Sequence, residues 1–271
     1  MTTVQPTGGN LVRSAWSALR QDRELVLLPV LGGVVTLGAL VPVAAAFVLV
    51  PEDALPVYVL LAIAATYLLA AVSTFFSVAL AAGAHDRMNG GDPTLASAMA
   101  AAWRHKRAVL GWAALSATVG LVLQSIEARF KGVGAIVGFL GGVAWALASF
   151  FAIPIIAAQD VGPITALKTS ADTFKRRWSN AVRVQLRLGL YVLGLVVATV
   201  AGLALGIVLV DTFAPLGILV IVAVVAAALV AGLLLGAVSA YCRVVLYRYA
   251  VGLATPGFSA GALEASVVRK G

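Results

Sequence analysis

The sequence predicts an all-α fold: a polytopic membrane bundle of six transmembrane helices with three cytoplasmic interfacial amphipathic helices. Three observations predict it. Of 271 residues, 62% are hydrophobic and only 11% charged, against about 25% charged in an average soluble domain. The apolar residues gather into six long, uninterrupted runs. The basic residues fall almost entirely in alternate connectors. The first two facts exclude a water-facing surface of ordinary make-up and exclude disorder, which needs low hydrophobicity.

The runs, in order, are Leu25 to Val50, Leu55 to Ala84, Ala108 to about Ile126, Val133 to Ala158, Leu188 to Val210, and Phe213 to about Tyr241. Each reaches the roughly 20 residues needed to cross a ~30 Å hydrocarbon core. Helix is favoured over strand because barrel strands alternate in polarity over about ten residues. Ala44-Ala45-Ala46 loosely fits a signal cleavage site. The run before it is about twice the length of a signal h-region, so it reads as a retained helix.

The connectors set orientation. Seventeen of the 19 Lys and Arg lie before the first run, between the second and third, between the fourth and fifth, or after the sixth. Arg129 and Lys131 alone lie on the other side, with Glu52, Asp53, Glu127 and Asp211. The positive-inside rule then places both termini in the cytoplasm and the chain in the cell membrane. The net charge of +8 is read through this topology and anionic head groups rather than through nucleic acid.

Three basic-side segments have helical apolar faces, over about 11–22, 94–107 and 164–178. The first carries Val12, Ala15, Trp16 and Leu19; the second Leu95, Met99, Ala102 and Trp103; the third Ile164, Leu167, Ala171, Phe174 and Trp178. Each pairs an aromatic anchor (Trp16, Trp103, Phe174 with Trp178) with basic residues, as an interfacial helix does. Asn10 and Thr94 fit N-caps. An interfacial helix followed by a transmembrane hairpin, used three times, suggests an internal repeat. A single transmembrane domain over 1–254 would leave 255–271 as a flexible tail.

RSAWSALRQDRELVLLPVLGG, NGGDPTLASAMAAAW, ATVGLVLQSIEARF and GPITALKTSADTFKRRW together resemble a group of bacterial and archaeal six-helix membrane proteins known only as a domain of unknown function. The resemblance covers most of the chain. It implies the six-helix fold and no activity.

Small residues recur every fourth position at Gly134, Gly138, Gly142 and Ala146, at Gly194, Ala198, Gly202 and Gly206, and at Ala228, Gly232, Gly236 and Ala240. Such stripes let helix backbones approach in lipid. Tight packing within the bundle, a homo-oligomer face, and mere abundance of Gly and Ala all remain open. Pro42 and Pro154 interrupt runs and predict kinks.

Chemistry is scarce. Five runs contain no ionisable residue other than a lone Tyr or two, which disfavours ion-coupled transport. Gln124 and Glu127 share a face at the outer end of the third run, as a polar external mouth or a solvated ion pair with Arg129 and Lys131. His85, Asp86, Asp92 and His105 lack metal-site spacing, and one Cys, Cys242, with two His builds no zinc or haem framework. Gly257-Phe258-Ser259-Ala260-Gly261 matches a nucleophile elbow, but no His follows it. No cofactor motif is present. Lys175, Arg176 and Arg177, with Arg104, Lys106 and Arg107, serve either as topology signals or as contacts for anionic head groups.

The expectation is therefore a non-enzymatic membrane protein acting through lipid or protein contacts, with membrane lipids as partners and a homo-oligomer or another membrane protein as further partners. The competing expectation is an uncoupled transporter or channel for an apolar or lipid-like substrate. A path lined by Gln124, Ser73, Ser77 and Thr118 would favour it.

Overall fold

The computed structural model describes residues 9–51, 53–130, 133–176 and 178–258. Among these the chain is helical throughout: α1 (Gly9–Gln21), α2 (Arg23–Leu49), α3 (Leu55–Met88), α4 (Leu95–Arg104), α5 (Lys106–Arg129), α6 (Val133–Ala148), α7 (Ala152–Ala158), α8 (Pro163–Arg176), α9 (Trp178–Thr212) and α10 (Ala214–Ala250). Six segments are long and apolar enough to cross a membrane: α2, α3, α5, Ile136–Ala158 across α6 and α7, Leu188–Thr212 of α9, and α10.

α3 is the hub, packing against α2, α4, α5, α7 and α10, whereas α9 leans chiefly on α10. α3, α9 and α10 have 34, 35 and 37 residues. At 1.5 Å per residue each exceeds 50 Å, against a hydrocarbon core of ~30 Å. Each is therefore longer than such a core is thick. The sixth apolar run ends near Tyr241, but α10 continues nine residues further, to Ala250.

The buried core sits at the basic end. Leu19, Leu25, Leu28, Val78, Phe151, Ile155, Ile156, Val244, Val245 and Tyr247 are fully buried there. Away from it, Val48, Leu60, Phe139 and Ile207 are exposed. The physical reason is solvent. Water drives apolar side chains together, whereas lipid tails solvate them as well as a neighbour does.

The fourth run is broken, but not as a kink at Pro154 itself. The chain turns at 149–151, and Pro154 falls in the first turn of α7. Proline has no N–H to donate to the preceding turn and is tolerated there. The Phe151 N–H instead donates to Ser170 Oγ, 2.9 Å away on α8. α2 runs through Pro42 as one helix. Thr94 caps α4 with a reciprocal Ser97 box, and Gly90, at φ +87°, makes the left-handed turn before it. Asn10 lies inside α1 rather than at its cap.

The glycine stripes divide. A Cβ at Gly202 would lie 2.7 Å from Val224 Cγ2, and one at Gly206 2.5 Å from Ile221 Cγ1. One at Gly134 would meet the Glu127 and Ile126 carbonyls at 2.9 Å, and one at Gly138 the Glu127 carboxylate. Gly142, Gly194, Gly232 and Gly236 have no described atom within 4 Å of that position, so no helix among the described residues packs closely there. α6 instead meets α5 through Gly141, whose Cβ position is 2.6 Å from Leu123 Cδ2.

The described part of the tail folds back. Phe258 lies 6.3 Å from the Tyr241 ring, and the Ala254 carbonyl accepts from Arg248 Nε at 2.9 Å. Ser259 and the residues after it lie outside the described residues.

Candidate functional site

The short basic-end helices seat on the bundle by part of each expected face: Ala15 and Leu19 of α1, Ala102 of α4 and Phe174 of α8 are buried. α8 buries Ala166, Ser170 and Phe174, leaving Ile164 exposed. Its packed face thus keeps Phe174 and, in part, Leu167 from the bulky stripe and adds the small residues Ala166 and Ser170. Phe174 is not a lipid anchor: it sits among Phe150 and Phe151, with ring centroids 5.9 and 6.4 Å away. α4 likewise buries Ala98 and Ala102 and leaves Trp103 63% exposed. Small residues permit close seating on the bundle, while Ile164 and Trp103 are left at the surface.

Trp103 meets Phe75 edge-on at 6.3 Å, and Lys106 Nζ stands 5.4 Å from its ring centroid. Trp16 is half-buried, with the Arg20 guanidinium 5.5 Å above it. Arg104, Lys106, Arg107 and Lys175 are all exposed. The side chains of Arg176 and Trp178, and all of Arg177, lie outside the described residues. At the opposite end Gln124 and Glu127 are exposed. Glu127 turns onto Gly138, and among the described residues no ion pair joins it to Arg129. Thr118 is tied to Tyr67, hydroxyl to hydroxyl, at 2.7 Å.

An ion-pair network joins α1, α2, α3 and α4. Arg87 holds Asp22 at 3.0 Å and Asp92 at 3.1 Å. Glu24 accepts the Leu95 N–H at the start of α4, where a negative charge complements the helix dipole. Burial raises the Asp22 carboxyl above the ordinary carboxylate range, outweighing the lowering by Arg87.

The chemistry not foreseen lies beside this network. A cavity of about 470 Å³ opens between α3, α4, α7 and α10, and both histidines line it. Arg248, on α10, reaches it with a residue exposure of only 3%. Its Nη1 lies 3.4 Å from both the His85 carbonyl and His85 Nδ1. A guanidinium can only donate, so Nδ1 accepts and the His85 ring proton belongs on Nε2. That nitrogen is buried. The Pro154 backbone carbonyl faces the ring as its acceptor on that side.

Across the opening, Arg104 and His105 join the polar lining, with Asn89 and Ser97. His105 Nδ1 lies 3.6 Å from Asp160, itself exposed. Asp86 also faces the cavity from its rim, its carboxylate over Gly91. Of the sequence's four metal candidates, His85, Asp86 and His105 thus share one cavity, while Asp92 is held by Arg87. Among the described residues no three His, Cys, Asp or Glu side chains gather as a metal site. Arg248 was legible only as a terminal charge, because its burial depends on the fold-back of 252–258.

No curated protein and no solved structure is matched by this chain. A protein-family model does match, over residues 56–258, from the start of α3 to the Phe258 that closes over Tyr241. With most of its length covered, the chain belongs to the family of unknown function DUF6159.

Proposed function

We propose that this chain is a non-enzymatic integral membrane protein whose basic end lies in the cytoplasm and binds anionic lipid head groups there. The observation that carries this is the surface around α4 and α8. Trp103 and Ile164 are exposed large apolar side chains at that end, and Arg104, Lys106, Arg107 and Lys175 are exposed beside them. Such a surface places aromatic and aliphatic groups at head-group level and cations against lipid phosphates.

Native mass spectrometry of the protein with defined lipids tests it. The triple variant Lys106→Ala, Arg107→Ala, Lys175→Ala is expected to lose most of the anionic lipid retained by the wild type, with zwitterionic lipid unchanged. Unaltered anionic retention removes the proposal.

Orientation has its own test. Cys242, the sole cysteine, is buried, so the wild type serves as a nearly silent background for thiol labelling. Ser17 and Asp53 are both exposed. An impermeant maleimide added to intact cells is expected to label Asp53→Cys and to spare Ser17→Cys until the cells are opened. The reverse pattern would invert the placement.

A further inference from the structure

The geometry points to the cavity between α3, α4, α7 and α10 as a binding site for a phosphate-type oxyanion, held by Arg248 and Arg104. The first argument is charge. Arg248 stays protonated at any physiological pH, and a buried charge is costly unless it is paired. Among the described residues no carboxylate lies within ion-pair distance of it. Its observed partners are carbonyls and a neutral ring nitrogen. The two nearby carboxylates, Asp86 and Asp160, are exposed at the rim, where water screens them.

The second argument is the lining. Arg104 on α4 and Arg248 on α10 both border the cavity, and Ser97 and Asn89 add neutral hydrogen-bonding groups to it. An oxyanion there supplies a counter-charge to Arg248, with Arg104 reaching it from the open side. A space of about 470 Å³ falls within the usual range for small-molecule sites.

The position suits a head group. His85 stands 30 residues beyond Leu55 on α3, about 45 Å along the helix. That distance matches the ~40–45 Å thickness of a bilayer with its polar layers. A lipid phosphate and a free phosphate share the chemistry, and the source depends on the lipid-facing reading given above.

The test titrates inorganic phosphate and short-chain phosphatidic acid separately into the detergent-purified full chain. The thermal unfolding midpoint and native mass spectrometry read the binding, with chloride at equal ionic strength as reference. Wild type is expected to be stabilised and to retain the ligand. Stabilisation by phosphate alone identifies a free-anion site, and stabilisation by phosphatidic acid only identifies a lipid site.

Arg248→Gln should weaken binding about tenfold or more, as loss of a charged hydrogen-bond donor does. Because that residue is buried, two further variants at the opening guard against misfolding. Arg104→Gln should weaken binding, and Ala101→Trp, which keeps every charge but fills the cavity, should abolish it. Absence of binding to wild type, or full binding by Ala101→Trp, overturns the site. The lipid surface is judged apart from it, because Lys106, Arg107 and Lys175 lie outside the cavity lining.

Discussion

Phe151→Ala is expected to be among the most damaging single substitutions in the chain, lowering stability by about 3–5 kcal/mol. Phe151 is fully buried where the α6–α7 turn meets α8 and α10. Its ring touches Phe150, Phe174 and Tyr247 at centroid distances of 4.8, 6.4 and 6.2 Å. Its amide is held by Ser170, so the backbone around the lost ring is fixed and cannot collapse to fill the space. Phe139→Ala is the control. That ring is 68% exposed, on a part of α6 where lipid or detergent replaces the lost contacts, and its cost should stay within about 0.5 kcal/mol. Unfolding in mixed micelles measures both. Equal losses would contradict a core concentrated at the basic end.

That concentration explains what the sequence revealed and what it withheld. Run length and charge placement are one-dimensional, and they mark six helices without knowledge of neighbours. The seating of α8 is not one-dimensional. Ile164, Leu167, Ala171 and Phe174 form an apolar stripe, yet Phe174 is buried while Ile164 is exposed, and Ala166 and Ser170 beside the stripe are buried as well. At a bilayer edge both faces of a helix can satisfy apolar groups, so the stripe no longer says which way is in. Close seating against α7 decides it, and favours Ala166 and Ser170. The cavity was hidden for a related reason. His85, Arg104, His105 and Arg248 come from three separate stretches, and only the packing of α3 between α4 and α10 brings them together.

Gly217→Val is expected to cost at least the ~1–3 kcal/mol typical of overpacking, with the larger figures applying because backbone obstructs it. A Cβ at Gly217 would strike the Val210 backbone nitrogen and lie 2.7 Å from the Gly206 carbonyl. A side chain can swing away from such a contact; a helix backbone cannot. Gly138 is the contrast, since what opposes it is the end of the Glu127 side chain. Only Phe213 separates α9 from α10, so the hairpin has no slack in which to open. Gly217 has no small-residue stripe to announce it: Phe213 and Ile221, one turn either side, are large. Conversely, Gly232 and Gly236 sit in a regular stripe on α10 and meet no other atom within 4 Å among the described residues. Gly232→Val should therefore leave the purified monomer's stability within about 0.5 kcal/mol of wild type. If Gly232→Val proved as damaging as Gly217→Val, the open stripe would have to be packed against a second helix that this chain alone does not supply.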